Sequence, residues 1–380
     1  MPVRSEILPY GRQWLDEDDI QAVVDVLRSD WLTTGPKVRE FEEAVAEFSG
    51  TAHAVAVNSG TAALHAAAFA LGIGPGDEVI VPPMTFAASS NCILYLGGTP
   101  VFVDVEPDTL NIDPQKIEAA ITDKTKAIIA VDFAGQPCNH DAIRAIADRH
   151  GLAVIQDAAH SFGTAYKGQP VGRQNELTTF SFHPVKPITT GEGGMIVTDN
   201  TEYAEAMRKL RSHGISADHR QRAEKGTWHY EMTDLGFNYR ISDIQCALGL
   251  SQLRKLPEWI KRRQEIARHY DEAFGELPIE PLVTRPENSH AYHIYVVRFP
   301  ERSRVFTALR KEGIGVNVHY IPVHLHPYYQ QHLGTGPGLC PVAEAAYEKI
   351  ISLPVFPRMT DADIEDVITA VRKIVSTTQP

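Results

Sequence analysis

A single lysine stands in an unusual setting in the segment SFHPVKPITTGEGG, residues 181–194. Lys186 lies between Pro184 and Pro187, and proline disfavours a helix because it lacks an N–H and restricts the residue before it. Three glycines follow, so the chain can turn tightly after the lysine. Partial burial would lower the pKa of the ammonium and make it a nucleophile that forms a Schiff base with an aldehyde. The ordinary alternative is a solvated loop lysine.

Two further segments could complete such a site, one carrying a carboxylate and the other an anion-binding turn. Asp157 follows the apolar segment LAVIQ, and a buried carboxylate has to be paired because a lone buried charge is costly. It either caps a turn or keeps a ring nitrogen protonated, as pyridoxal 5′-phosphate (PLP) chemistry requires. Ser59-Gly60-Thr61 opens a predicted helix after a predicted strand, where free N–H groups and the helix dipole favour phosphate. The alternative for this turn is a plain helix cap.

Aromatic and histidine side chains near these segments are ambiguous. Phe86 is predicted within a helix after the segment VPP, where it could pack in the core or stack on an aromatic cofactor. His160 follows Asp157 closely and could be a core histidine. His319, His324 and His326 lie together in HYIPVHLH, but no adjacent carboxylate completes a metal motif. We therefore predict no metal site.

The elements that would position these residues alternate between strand and helix from residue 53 to residue 157. This pattern predicts an α/β fold with a mostly parallel central sheet and helices on both faces. Ligands in such sheets bind beyond the carboxyl ends of the strands, where Ser59, Asp157 and Lys186 are predicted to lie. We expect an N-terminal arm over residues 1–14, a large domain over 15–250 and a small α+β domain over 251–380.

Several element boundaries follow from the hydrophobic periodicity. One helix is predicted from Thr85 to Leu96, and a long helix from Ile241 to Phe274 with an interruption at Pro257. The small domain is predicted to contain strands at 291–299 and 316–320 and helices at 305–312, 342–351 and 361–375.

Composition and charge argue against several other classes of protein. The 380 residues are 43% hydrophobic with a net charge of −12, and general nucleic-acid binding would need a basic face. We find no apolar segment of about 18 residues, and no apolar leader at the N-terminus, so we expect a cytoplasmic protein without a membrane span. The four cysteines form no CxxC pair, so neither a zinc cluster nor a disulfide framework is expected. Phosphate loops of the GxxxxGK[ST] type and GxGxxG turns are also missing, which argues against nucleotide hydrolysis and hydride transfer.

The order of these features is typical of the large domain of fold-type-I PLP enzymes. Over nearly its whole length the chain resembles the DegT/StrS-type nucleotide-sugar aminotransferases. Within that family it looks most like the transaminases that make UDP-4-amino-4,6-dideoxy-N-acetyl-β-L-altrosamine for pseudaminic acid. The motifs that carry the resemblance are NSGTAAL (58–64), QDAAHSFG (156–163), SFHPVKPITTGEGG (181–194), GFNYRISDIQCALGLSQL (236–253) and VHYIPVHLHPYY (318–329).

The resemblance implies a role for each candidate residue. Lys186 would hold PLP as a Schiff base, and Asp157 would pair with the pyridinium nitrogen. Phe86 would stack on the ring, and His160 would lie near its 3-hydroxyl. Asn238 would reach the cofactor phosphate of the neighbouring subunit in a homodimer with shared active sites. The turn Ser59, Gly60 and Thr61 with Ser181 would bind the phosphate, and the sugar nucleotide would contact Tyr10, Asp30, Trp31, Leu32, Thr33, Arg240, His319 and Tyr320.

The implied reaction transfers an amino group from an amino acid, expected to be L-glutamate, to C4 of a UDP-4-keto-6-deoxy-N-acetylhexosamine. Because the chain is acidic, the diphosphate is expected to need local positive charge from Arg240 and the loop 213–225. That loop holds His219, Arg220, Arg222 and Lys225.

Three alternatives to this reaction stay open. One is amination of another keto sugar nucleotide, at C3 or C4, with UDP or dTDP. A second is a PLP-dependent sugar dehydratase, although those relatives carry histidine where this chain has Lys186. A third is a regulatory PLP-binding protein without turnover, although we see no added DNA-binding segment.

Overall fold

The structure is a computed structural model that describes residues 1–216, 222 and 226–376. The α-helices in that part are α1 Glu17–Leu27, α2 Pro36–Ser49, α3 Gly60–Ala70, α4 Ala88–Tyr95, α5 Pro114–Ile117, α6 His140–His150, α7 Thr201–Arg211, α8 Asp243–Phe274, α9 Arg302–Lys311, α10 Pro327–Leu333, α11 Pro341–Tyr347 and α12 Asp361–Ser376. The strands are β1 His53–Val57, β2 Glu78–Val81, β3 Thr99–Phe102, β4 Thr125–Val131, β5 Ala153–Asp157, β6 Ala165–Tyr166, β7 Gln169–Pro170, β8 Leu177–Ser181, β9 Gly194–Thr198, β10 Glu280–Pro281, β11 Tyr295–Arg298 and β12 Ile350–Leu353.

The central sheet has seven strands in the order β1-β9-β8-β5-β4-β2-β3. The pairs β2–β3, β2–β4, β4–β5 and β5–β8 are parallel, whereas β9 runs antiparallel to both of its neighbours. This arrangement confirms the predicted α/β class with a mostly parallel sheet. The carboxyl ends of the parallel strands therefore meet at one edge, which is where ligands bind in such sheets.

Both faces of the central sheet are covered, because successive residues of a strand point to opposite sides. In β1, Val55 and Val57 pack into a core that includes residues of α3 and α7, while Ala54 and Ala56 pack into a core with α2 and α8. Local signals mark the ends of the helices. Capping boxes begin α1 and α8, and a glycine in the left-handed conformation follows α2. Burial on both faces explains why the strands read as almost continuous apolar runs.

A second, smaller sheet has the order β10-β11-β12 and packs with α9, α12 and the end of α8. Helix α8 joins the two regions, since Leu253 and Leu256 pack under the central sheet whereas Tyr270 and Phe274 pack in the smaller core. The domain boundary predicted at 250/251 falls inside this helix and stays a prediction.

The N-terminal arm packs against the smaller region and ends near the site. Leu8 forms a parallel bridge with Ile314, and the guanidinium of Arg4 contacts Asp363 and Asp366 at 2.7 Å each. The carbonyl of Tyr10 accepts a hydrogen bond of 3.1 Å from Val355 N–H. This bond fixes the backbone from which the tyrosine side chain extends.

Several expected boundaries were wrong. The strand expected at 291–299 covers only Tyr295–Arg298, and the helix expected at 305–312 already begins at Arg302. Helix α8 runs through Pro257 without interruption, because Leu256 and Trp259 are buried on either side and offset the one hydrogen bond that proline removes. The strand expected at 316–320 reduces to one bridge between Asn317 and Ser352. The helix expected at 342–351 ends at Tyr347, and strand β12 follows it. The apolar residues of this segment do not distinguish a helical from an extended periodicity. The helix expected from Thr85 begins only at Ala88, because residues 83–87 turn above the sheet edge.

The described residues have two further properties. None of their helices is long and apolar enough to cross a membrane. All four cysteines are free thiols, and each is buried.

Candidate active site

A cavity of about 510 Å³ opens at the carboxyl edge of the central sheet. Val131, Asp157 and Ser181 line it from the ends of β4, β5 and β8. The other walls come from the start of α3, the loop before α4 and residues 317–320. Its volume lies in the range of small-molecule and cofactor sites.

Lys186 lies in an irregular connection between β8 and β9, as the prolines predicted. Its N–H donates to the carbonyl of His183 at 2.9 Å, and Thr190 N–H donates to the carbonyl of Phe182 at 3.0 Å. The side chain is partly buried and lines the cavity. Desolvation lowers the pKa of Lys186 from 10.5 to about 8, while the nearby carboxylate of Asp157 opposes that shift. The loop thus presents an amine that is a stronger nucleophile at neutral pH than an ordinary lysine.

Asp157 is 6% exposed and has a hydrogen bond to each oxygen. Ser89 Oγ donates to Oδ2 at 2.7 Å, and Ala159 N–H donates to Oδ1 at 3.2 Å. Burial raises the pKa of Asp157, while the hydrogen bonds and the Lys186 charge lower it in part. A carboxylate held in this way can keep a cationic ring nitrogen in place.

The turn at Ser59 and Gly60 forms a narrow cradle at the start of α3. A Cβ on Gly60 would lie 2.8 Å from Ser181 Cβ, and one on Gly194 would lie 2.4 Å from the carbonyl oxygen of Ser59. Ser59 Oγ accepts a hydrogen bond from Ala62 N–H at 3.1 Å, which caps the helix. Only glycine leaves the backbone this close, and the free N–H groups of the first turn suit a phosphate.

Aromatic and imidazole rings form another wall of the cavity. Tyr320 Oη lies 3.1 Å from His160 Nε2, and the ring of Tyr10 lies 5.2 Å from that of His319. Burial lowers the pKa of His319 to about 4 and that of His160 well below its usual range, so both rings are neutral at pH 7. Phe86 is 62% exposed, lies beside Tyr320 and also lines the cavity.

The structure brings most of the predicted site residues together. Those that line the cavity of this chain are Tyr10, Ser59, Gly60, Thr61, Phe86, Asp157, His160, Ser181, Lys186, His319 and Tyr320. Their roles toward a cofactor or substrate remain predictions, because geometry shows only that they surround the same space.

Six predicted residues lie outside this lining. Asn238 is exposed, and its carbonyl accepts from Asn58 Nδ2 at 3.3 Å. Asp30, Trp31, Leu32 and Thr33 form a turn after α1, where the Thr33 carbonyl accepts from Asp243 N–H at 2.7 Å. Arg240, which is partly exposed, follows Asn238 on the same loop. These residues do not join the site of their own chain.

The basic loop proposed for the diphosphate falls largely outside the described residues. His219, Arg220 and Lys225 are not described. The guanidinium of Arg222 lies 4.6 Å from the centre of the Tyr230 ring.

Several cavity residues escaped the sequence interpretation. Thr85 and Ser89 belong to the hydroxyl-rich run TFAASS (85–90), separated by three residues from the end of β2, and this run is a signal in the sequence. His183 and Glu192 lie within the lysine motif itself. His293 comes from the smaller region, and no local pattern connects it to the sheet edge.

The three histidines of HYIPVHLH do not converge. His319 Nδ1 pairs with Ser352 Oγ at 2.8 Å in the cavity wall, whereas His324 Nε2 pairs with Glu344 Oε1 at 2.8 Å elsewhere. Among the residues that the structure describes, no group of three potential ligands could hold a metal ion.

The comparisons with known proteins agree with this geometry. Residues 13–372 match the sequence profile of the DegT/DnrJ/EryC1/StrS aminotransferase family. The chain is 47% identical to the spore coat polysaccharide biosynthesis protein SpsC of Bacillus subtilis over 382 residues, with 98% of each chain covered. It is 34% identical to the putative sugar aminotransferase Spr1654 from Streptococcus pneumoniae in its PMP form, with a TM-score of 0.94 and coverage of 98% and 100%. Identity to PseC of Helicobacter pylori, an aminotransferase involved in the biosynthesis of pseudoaminic acid, is also 34%, with a TM-score of 0.91 and coverage of 98% and 100%.

These findings confirm the predicted cofactor and class of enzyme. Spr1654 has been solved in both PLP and PMP forms. In this chain the glycine cradle, the buried carboxylate and the lysine of lowered pKa fit the phosphate, ring nitrogen and aldehyde of PLP. The chain is therefore a PLP-dependent enzyme, and it belongs to the DegT/DnrJ/EryC1/StrS aminotransferase family.

Proposed function

We propose that this protein transfers the amino group of L-glutamate to C4 of a UDP-4-keto-6-deoxy-N-acetylhexosamine. The observation that carries the reaction type is Lys186, an amine of lowered pKa that lines the same cavity as the buried Asp157. The choice of sugar is supported by two similarities. The motifs SFHPVKPITTGEGG and VHYIPVHL resemble those of the transaminases that act on this sugar, and the chain as a whole is similar to PseC.

Each end of the cavity would hold a different part of the cofactor. PLP, when bound, supplies a reactive aldehyde and a pyridine ring that accepts electrons from the bond being broken. The Ser59 turn and Ser181 would hold the phosphate, and Asp157 would hold a proton on the ring nitrogen. Phe86 would stack on the pyridine ring, and the Tyr320–His160 pair would orient the edge of that ring that carries the 3-hydroxyl group.

Lys186 Nζ is the group that we propose to move the proton during transamination. A base is most effective when its pKa lies near the working pH, and burial lowers the pKa of Lys186 to about 8. Burial lowers the pKa of His160, His293 and His319, so these three imidazoles are weaker bases than the amine of Lys186.

The sugar would bind toward the aromatic wall. Tyr10, Phe86 and Tyr320 line this part of the cavity, and aromatic rings that also carry hydroxyl groups suit a sugar ring. Asn238 and Arg240, which do not line their own cavity, would serve the site of a second subunit in a homodimer. Because a two-fold contact is reciprocal, both sites would gain the same residues.

A half-reaction tests the reaction type. The PLP-loaded protein is mixed with L-glutamate, and 2-oxoglutarate is measured together with the loss of the PLP absorbance. One equivalent of 2-oxoglutarate per site is expected, and Lys186→Ala provides the matched control without the base. A protein that binds PLP but yields no 2-oxoglutarate is a regulator, a dehydratase or an aminotransferase with another donor.

A panel of substrates tests the choice of sugar. UDP- and dTDP-linked 3-keto and 4-keto sugars are offered to the aminated form, and the products are assigned by NMR. We expect amination at C4 of the UDP-linked N-acetylated sugar. Faster turnover of a dTDP sugar or a C3 ketone would overturn the substrate while leaving the aminotransferase reaction intact.

A further inference from the structure

We propose that Ser89 is a positioning residue that fixes the orientation and the negative charge of the Asp157 carboxylate, and that Thr85 holds Ser89 in place. The inference rests on the role proposed above for Asp157. It adds two hydroxyl groups whose placement follows from hydrogen bonds within this chain.

Ser89 and Asp157 meet between two elements at the edge of the sheet. Ser89 lies in the first turn of α4 and is 1% exposed, while Asp157 is the last residue of β5. The 2.7 Å contact from Ser89 Oγ to Asp157 Oδ2 is short, as expected of a hydrogen bond to a charged acceptor. Because Oδ1 is held by Ala159 N–H, the two bonds together fix the plane of the carboxylate.

The direction of each hydrogen bond follows from counting protons. A hydroxyl has one hydrogen, and an ionised carboxylate can only accept, so the hydrogen of Ser89 points to Asp157. Thr85 Oγ1 lies 2.7 Å from Ser89 Oγ and must therefore donate to it. The other acceptor within reach of Ser89 is the Phe86 carbonyl at 3.3 Å, a longer contact. The relay Thr85 to Ser89 to Asp157 is complete when the carboxylate is ionised.

The charges around Asp157 show why this hydrogen bond matters. Burial is the largest influence and raises the pKa of Asp157, and the neighbouring carboxylate of Asp132 acts in the same direction. The Ser89 hydrogen bond is the first of the effects that lower it, ahead of Ala159 N–H and the Lys186 charge. Cys92 and Tyr320 interact with this carboxylate but are neutral, because burial disfavours their charged forms. His160, which lines the same cavity, is neutral for the same reason. Ser89 thus counters the effect of burial on the residue that must stay anionic.

The test uses the PLP-loaded protein and a matched pair of serines. Ser89→Ala removes the hydroxyl, Ser89→Thr keeps it, and Ser90→Ala removes the neighbouring buried hydroxyl, which makes no hydrogen bond to Asp157. The measurements are the dissociation constant of PLP and the pH titration of the bound cofactor's absorbance. A hydrogen bond to a charged group corresponds to about one to two pH units. We expect Ser89→Ala to move the acid limb upward by about that amount and to weaken PLP binding about tenfold.

The conservative variants decide between positioning and mere packing. Ser89→Thr should titrate like the wild type, and so should Ser90→Ala. An unchanged titration in Ser89→Ala, or an equal shift in Ser90→Ala, would overturn the proposal. If Ser89→Ala does not fold, Thr85→Val leaves Ser89 in place but removes its donor, and a smaller upward shift is expected. No shift in Thr85→Val would then count against the relay.

Asp157→Asn separates this proposal from the one on which it rests. If Asp157→Asn binds PLP as tightly as the wild type and titrates like it, the proposed role of Asp157 fails. If Asp157→Asn is impaired and Ser89→Ala is normal, Asp157 keeps its role and Ser89 alone is removed from the mechanism.

Discussion

The reactivity of Lys186 toward an aldehyde should follow its lowered pKa. With a pKa of about 8, about one molecule in ten carries the neutral amine at pH 7. With the ordinary value of 10.5, the fraction would be about one in three thousand. Since the neutral amine is the nucleophile, burial makes Lys186 about 300-fold more reactive at neutral pH than a solvated lysine of equal intrinsic reactivity.

Rapid mixing of the PLP-free protein with an aromatic aldehyde that lacks a phosphate isolates this effect from phosphate binding. The rate of Schiff-base formation is recorded across the neutral and alkaline pH range. We expect the rate to reach half of its maximum near pH 8. The Lys186→Ala protein supplies the background from all other lysines.

The Asp157→Asn variant then checks the sign of the coupling. The negative charge of Asp157 raises the pKa of Lys186, so its removal should lower that pKa further and move the midpoint below the wild-type value. A wild-type midpoint near the ordinary lysine value, or an upward shift in Asp157→Asn, would refute the reasoning from burial.

Three further predictions concern the cofactor cradle, the second subunit and the sugar nucleotide. Gly194→Ala should weaken PLP binding more than tenfold, because the new Cβ would lie 2.4 Å from the Ser59 carbonyl oxygen, whereas Gly74→Ala meets nothing within 4 Å and should bind normally. Equal affinities would show that the cradle is not the phosphate site. Lys186→Ala and Asn238→Ala should each be impaired, and mixing their subunits should restore activity through one intact site per heterodimer. If mixed dimers form without recovery, each site is built from one chain. Replacing Arg220 and Arg222 together by glutamine should raise KM for the UDP sugar and leave the glutamate half-reaction nearly unchanged, as expected for lost ground-state binding. An unchanged KM would exclude this loop as the diphosphate contact.

The central sheet was predictable because its signals are local. Strands such as β2 and β4 are short apolar runs between polar turns, and their alternation with helices requires a parallel sheet. The smaller region was less predictable. Its strand β12 has Ile350 and Ile351 directly after a helix, and only pairing with β11 decides that they are extended. Tertiary contacts of this kind cannot be seen in the hydrophobic periodicity of the sequence.

The site was predictable where one residue type is required by chemistry or backbone geometry. Lys186, Asp157 and the glycine-rich turn are such positions. The Ser89 hydroxyl is different, because nothing in the sequence places it 2.7 Å from a carboxylate on a strand 68 positions away. His293 reaches the cavity only through the packing of the smaller region on the sheet, and its ring lies 4.3 Å from that of His160.

The balance of charge in the cavity links the site to the proposed assembly. Among the described lining residues, Lys186 is the one lysine or arginine, and burial keeps His160, His293 and His319 neutral. The cofactor would bring a phosphate, and the two substrates, which bind in successive half-reactions, would bring first two carboxylates and then a diphosphate. These charges need more positive charge than one lysine and the start of α3 provide. We therefore expect further cations to come from outside this lining. Arg240 meets that need if a second copy of the chain presents its exposed loop to the cavity, and the same contact would deliver Asn238 to the phosphate.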